Sequence, residues 1–459
     1  MSSAPHLQVE NSYRNIIRLA LPISISILIP QISILTNTLF LGNYIPTVSD
    51  LTTQDLLSAS GIAGIYYLTL VMIGYGMVSG MLMLMSRKAG ENDNLGVGKI
   101  FSNGILMCLM LSAVLIGISF FLAPLIFSFS IHDVAVQKAC LKFINIRIWG
   151  LPFIMLCQLS NSLFLASSNS NRIIIGSIVQ TVVNVLLDYV LIFGIGFFPE
   201  MGLEGTALAS TFSEVFYALT VFLIIRFQAD FKLFDIHFTK HFNWGIIKET
   251  FLKASPLMVQ YFLSIGAWEV FFIYVEHLGK SESAISQILR SVFGLVGVAA
   301  WALASTCNSM VSNLIGQEKL NEVIPLIKKV VTVSFLVALT LGILLFIFPE
   351  QFLRLLTDDE MLIQGGITSL RIVVLATWVL SVSTIIFNGV VGIGDTKVNM
   401  YFELTAIVLY LIYCTIVIEK MKLPLPFAWG SDFVYWLSLF TMSSLYLYRW
   451  RKKQIRDSR

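Results

Sequence analysis

The feature that most constrains this chain is a succession of long apolar runs, about twelve of them, each near the length a helix needs to cross a bilayer. They fall near residues 16–43, 56–85, 99–123, 134–164, 171–196, 203–226, 245–277, 284–312, 321–347, 361–390, 397–419 and 429–450. Composition agrees, since 56% of the 459 residues are hydrophobic and only 12% are charged, far from the balance of a soluble domain. The expected fold is therefore an all-α polytopic membrane protein. The N-terminus MSSAPHLQVENSYRN is polar and the first apolar run is too long for the core of a signal peptide, so that run is expected to span. Cys108, Cys140, Cys157, Cys307 and Cys414 stand singly in or beside apolar runs, without metal-ligand spacing, and read as small packing residues.

Loop charges set the expected orientation. Arg14 and Arg18 precede the first run, Arg87, Lys88 and Lys99 follow the second, and Arg172 follows the fourth. Lys232, Lys240 and Lys248 follow the sixth, and Lys319, Lys328 and Lys329 the eighth. Asp50, Asp55, Glu200, Glu204, Glu282, Asp358, Asp359 and Glu360 mark the alternate loops, so the positive-inside rule puts both termini in the cytoplasm. The tail RWRKKQIRDSR fits that side.

The chain also repeats weakly with a period of roughly 225 residues, as two homologous bundles would. LALP at Leu19 answers KASP at Lys253, and GENDNLGVGKI at Gly90 answers GQEKLNEVIPL at Gly316. Pro124 answers Pro349, Arg147 answers Arg371, and SSNSNRI near Asn169 answers GIGDTKV near Asp395. The expected organisation is a cytoplasmic tail (1–15), a six-helix lobe (16–226), an inter-lobe linker (227–244), a second six-helix lobe (245–450) and a basic tail (451–459). A cleft between the lobes is the expected substrate site.

Within the apolar runs the ionisable residues matter most, because a charge in hydrocarbon is costly and normally marks an ion or substrate path. Asp188 is the foremost. Asn184 lies one turn before it, so amide and carboxylate share a helix face. Counting from Ile173 at about 1.5 Å per residue, Asp188 lies roughly 22 Å along its helix, in the outer half of the hydrocarbon core. Glu214 comes out near the midplane. The matched places of Arg147 and Arg371 favour a structural role in the interior of each lobe, and Glu403, near the start of its helix, reads as interfacial. Glu269 and Arg290 fall in the outer half of the second lobe, either as a structural pair or as part of a substrate site. Tyr66, Tyr67, Trp268, Trp301 and Trp378 are cleft candidates, because an aromatic face near a carboxylate suits a lipophilic cation. Each alone reads as packing or as an interfacial anchor.

Taken together, the landmarks ALP in the first helix, SRKAGEND closing the second, RIWGLPF in the fourth, NVLLDYVLIFG with GFFPEMGLEGTALAS, and VGIGDTK after the tenth carry a family resemblance. The chain resembles the multidrug and toxic compound extrusion (MATE) transporters over nearly its whole length. In many prokaryotic members an ion site uses an Asp on helix one, an Asn and an Asp spaced by four on helix five, and a Thr on helix six. The resemblance assigns Asn184, Asp188 and Thr206 to these places, with Asn37 standing where those relatives have the helix-one carboxylate. One negative charge is thus missing, which weakens sodium coordination at Asp188, Asn184 and Thr206 and favours a proton as the coupling ion. GTALAS is also a small-residue face that lets helices approach closely, a reading of Thr206 that needs no ion. AWEV around Glu269 resembles the helix-seven glutamate region of eukaryotic and related members, and Arg290 lies outside that pattern.

The resemblance implies a secondary active antiporter of the plasma membrane, the inner membrane in a prokaryote. It would export organic, cationic or lipophilic compounds against protons or sodium ions by alternating access, as a monomer, with no cofactor and no nucleic acid partner. No P-loop pattern occurs, and neither an HExxH nor a nucleophile motif accompanies His6, His132, His237, His241 and His277, so an enzyme is not expected. The rival is a lipid-linked oligosaccharide flippase of the same superfamily, which would favour a more strongly cationic cleft.

Overall fold

The computed structural model describes residues 7–45, 51–196, 198–237 and 241–457. His6, Asp50 and Lys240 lie outside them. The described residues are helical with no strand, and the apolar runs appear as long helices. These are α1 (Tyr13–Gly42), α2 (Thr53–Gly90), α3 (Asn94–Ser130), α4 (Val134–Ala166), α5 (Asn171–Phe193) and α6 (Gly202–Phe227). They continue as α7 (Trp244–Glu276), α8 (Lys280–Gly316), α9 (Leu320–Ile347), α10 (Glu360–Ile393), α11 (Thr396–Lys420) and α12 (Ser431–Asp457). The first eleven are long and apolar enough to cross a membrane. The last is diluted by Ser, Tyr and Trp and by the basic run at its end.

Helix ends follow local chemistry. Asp93, Asp133 and Asp359 cap α3, α4 and α10 by accepting hydrogen bonds from first-turn amides. Gly194 ends α5 in the left-handed region, where a side chain is costly. In α4 the landmark RIWGLPF becomes a short 3-10 turn, Ile148–Gly150, before the helix resumes with Pro152 in its first turn.

Two compact units result. The first holds 25–85 and 93–251 among the described residues. In it the chain after α6 is anchored to α3: Phe231 and Phe234 are buried, and a Cβ on Gly98 would fall 1.7 Å from the Phe234 carbonyl oxygen. Asn103 donates to the His241 carbonyl (2.8 Å) and accepts from the Asn243 amide (3.0 Å).

The second unit holds 7–24, 86–92 and 252–457, so the beginning of α1 and the last turn of α2 belong to it. Here the landmark glycines find their reason. A Cβ on Gly90 would lie 2.0 Å from the Asn313 carbonyl oxygen, and one on Gly316 would lie 2.1 Å from that of Arg87. The ends of α2 and α8 therefore meet backbone to backbone, and the Ser86 and Ser309 hydroxyls share a hydrogen bond (2.8 Å). The segment before α1 is tied down by Asn313, which accepts from the Val9 amide (3.1 Å) and donates to the Leu7 carbonyl (3.0 Å). Arg87 of SRKAGEND donates to the Ile393 carbonyl (2.7 Å) of VGIGDTK, and Lys253 of KASP donates to the Gly394 carbonyl (3.1 Å). Motifs far apart in sequence thus converge because helix-end carbonyls need donors.

Candidate ion-coupling site

In the first unit α5 and α6 pack closely because small residues face them. A Cβ on Gly205 would fall 2.9 Å from the Leu191 backbone, and one on Gly176 would meet the Tyr217 ring at 2.0 Å. Between them Asp188 is 0% exposed and Asn184 is 4% exposed. Oriented so that both its ends are satisfied, the Asn184 amide donates to Ser33 Oγ of α1 and to Asp188 Oδ2 (3.2 Å each). Its oxygen then accepts from the Ser210 amide and hydroxyl of α6 (3.3 Å each).

The register of α1 on α5 follows from named contacts. Ser33 meets Asn184, while Phe40 packs on Tyr189 (ring centroids 5.8 Å apart) and Phe193 (6.1 Å). Asn37, one turn beyond Ser33, is therefore level with Asp188, one turn beyond Asn184. Asn37 Oδ1, Asp188 Oδ1 and Thr181 Oγ1 are all buried without a hydrogen-bond partner. Such unsatisfied acceptors cost free energy unless a proton or cation joins them. Thr206 is fully buried on α6, and its hydroxyl donates to the Leu203 carbonyl of its own helix (2.8 Å). Beyond the end of α1 Tyr44 is buried, edge-on to Phe193, and donates to Glu200 (2.7 Å). Burial and that carboxylate push the Tyr44 hydroxyl above its ordinary pKa.

A second group of charges lies in the same unit. Arg147 Nη1 donates to Glu214 Oε2 (2.8 Å) and Nη2 to Oε1 (2.5 Å), a bidentate pair. The Tyr67 hydroxyl donates to Glu214 Oε2 (3.1 Å), and the guanidinium lies 3.9 Å from the Tyr67 ring centroid. The 3-10 turn in α4 makes room for this knot, since a Cβ on Gly150 would fall 2.2 Å from Glu214 Oε2 and 2.4 Å from Arg147 Nη1. The charge of Arg147 also reaches Asp188 electrostatically, whereas Asp188 forms no ion pair among the described residues.

The other expected residues are spread more widely. Tyr66 donates to the Ser119 hydroxyl (3.1 Å) and stacks edge-on against Phe127. Arg290 donates to Glu269 (3.1 Å) and lies over the Trp268 and Phe272 rings, each partner keeping about a fifth of its side chain exposed. Trp378 is a packing residue: its indole donates to the Ala338 carbonyl (3.1 Å) above Gly342, where a Cβ would meet Nε1 at 2.4 Å. Trp301 is 37% exposed and edges on Phe293.

One expectation is corrected. Arg371 is not interior like Arg147, because it lies exposed over the Phe346 ring with its Nε 3.4 Å from the Phe346 carbonyl. Glu403, near the start of its helix, is enclosed by protein. It lies two turns into α11, 2% exposed, held by hydroxyls of α7 and α12. Sequence reasoning also missed Ser33 and Ser210. The signal was the one-turn spacing, since Ser33 and Asn37, Asn184 and Asp188, and Thr206 and Ser210 make one such pair on each of the three helices.

The fold and these buried charges define a multi-pass helical membrane protein whose described residues hold a polar constellation inside each unit. The chain belongs to the MatE family, which matches residues 22–190 and 256–416 and is a family of transporters, not enzymes. Among curated relatives it is 24% identical to a probable multidrug resistance protein NorM of Synechocystis, over 76% of each chain. It is 20% identical to another NorM from Thermotoga maritima, over 88% of this chain and 85% of that one. Among solved structures it resembles a MATE transporter in complex with MaL6, at TM-score 0.85 and 16% identity over the whole of both chains. It also resembles a MOP superfamily transporter from Pyrococcus furiosus with a binding pocket of reverse polarity, at TM-score 0.85 and 15% identity over 99% and 98% of the two chains.

Proposed function

We propose that this chain is a proton-coupled exporter of lipophilic or cationic organic compounds, with Asp188 as the coupling carboxylate. The observation that carries the reading is the unpartnered Asp188 Oδ1, level with an amide at Asn37. A sodium site gains from accumulated negative charge and several free oxygen ligands. Here a single carboxylate stands with an amide level with it, and the Thr206 hydroxyl already donates to Leu203. Asn184 and Ser33 can rearrange their hydrogen bonds around either protonation state, so the site need not collapse when Asp188 is neutral. The multidrug resistance names of the NorM relatives support efflux as the direction of transport.

Both termini lie in the cytoplasm on this reading, and transport proceeds by alternating access of two six-helix lobes. A cysteine introduced by Asn94→Cys should react with an impermeant thiol reagent from the cytoplasmic side, and labelling only from outside contradicts that orientation. A lipid-linked pyrophosphate flippase would need free cations in its path. Against it, Arg147 and Arg290 are both committed to carboxylates.

The test is efflux of a panel of cationic dyes from proteoliposomes, with pH and sodium gradients imposed separately. Efflux driven by the pH gradient alone is expected, whereas sodium-driven efflux independent of pH would refute proton coupling.

A further inference from the structure

In the second unit Glu403 is a buried carboxyl group with no counter-charge. Its Oε1 accepts from the Ser264 hydroxyl of α7 (2.7 Å) and from the Tyr435 hydroxyl of α12, and those two hydroxyls lie 2.9 Å apart. Among the described residues it forms no ion pair with Lys, Arg or His. One turn earlier on α11, fully buried Asn399 donates to Gln260 Oε1 of α7 (3.1 Å), while its own Oδ1 has no partner. The groups facing the site are few. Tyr410 of α11 edges on the Tyr435 ring (5.8 Å), and Asp432 of α12 acts on Tyr435 electrostatically. Phe387 of α10, Ala406 of α11 and Leu439 of α12 form an apolar cluster against which Tyr435 packs.

We propose that Glu403 is a second proton-binding site, housed entirely in the second unit. The carboxylates of Glu214 and Glu269 each have an arginine to balance them, but Glu403 has only neutral donors, so a proton taken from water is what neutralises it. The two hydroxyls suit both states: each can donate to a carboxylate, and either oxygen can accept from a carboxylic acid. The site reuses the plan around Asp188, because α7, α11 and α12 hold the places in the second repeat that α1, α5 and α6 hold in the first. Its level differs. Glu403 lies about 10 Å along its helix from Thr396, against roughly 22 Å for Asp188 from Ile173. The chain thereby carries a proton station in each unit, at different distances from the helix starts.

The test is a pH titration of the full chain in lipid by infrared difference spectroscopy, reading the carbonyl stretch of protonated carboxyl groups. It is run in the Asp188→Asn background so that the two sites are read apart. A titrating band should remain in that background, should disappear on adding Glu403→Gln, and should change its midpoint with Tyr435→Phe. A band unchanged by Glu403→Gln overturns the proposal and leaves the reading of Asp188 intact. If Glu403→Gln does not fold, Tyr435→Phe decides alone, and an unmoved midpoint overturns the proposal.

Discussion

Two clusters of the first unit hold buried carboxylates and treat them oppositely. Around Glu214 every demand is met: two guanidinium hydrogen bonds, a tyrosine hydroxyl, and a glycine turn that gives them room. Around Asp188 one oxygen is left without a partner, an amide stands level with it, and Arg147 acts only from a distance. A fully satisfied charge pair fixes a structure, whereas a carboxylate short of one partner is suited to exchange a proton. Burial alone therefore does not mark a coupling residue; the difference lies in what the buried group still lacks.

Breaking the satisfied cluster should give the largest effect. Arg147→Gln or Glu214→Gln leaves the other charge buried and unpaired, a loss of about 3–5 kcal/mol, and the double variant should be milder than either alone. Thermal unfolding of the purified variants checks this, and additive losses would mean that the two side chains act independently. The unsatisfied cluster can be sharpened with Asn37→Asp, which sets a second carboxylate level with Asp188. Sodium affinity should rise by roughly tenfold or more, about 1.4 kcal/mol. Isothermal titration with sodium reads it, and unchanged affinity would argue against the register of α1 on α5. The partly exposed pair Glu269 and Arg290 should matter least for stability. Glu269→Gln is expected to cost on the order of 1 kcal/mol, and transport lost with the melting temperature untouched would instead make Glu269 part of a substrate or proton path.

How much of this was legible in the sequence depended on distance along the chain. Asn184 and Asp188 stood out because a one-turn spacing puts two polar groups on one face of an apolar helix, a signal carried by a few consecutive residues. The Arg147 and Glu214 pair spans 67 positions, and no periodicity links helices four and six. The repeat suggested like roles for Arg147 and Arg371, but a repeat preserves backbone position and not surroundings: Arg147 finds Glu214, whereas Arg371 meets the Phe346 ring and carbonyl. The enclosure of Glu403 was not legible because counting residues from a helix start gives depth and says nothing of which face carries the side chain. The landmarks SRKAGEND and VGIGDTK were recognisable as text, yet their physical reason, Arg87 serving the carbonyls that end α10, appears only in three dimensions.

The central claim is that Asp188 couples transport by taking up and releasing a proton. Asp188→Asn, nearly isosteric but unable to titrate, tests it in proteoliposomes that compare substrate counterflow with efflux driven by a pH gradient. The account predicts that counterflow persists and gradient-driven efflux is lost. Gradient-driven efflux at the level of the unaltered protein would remove Asp188 from the mechanism.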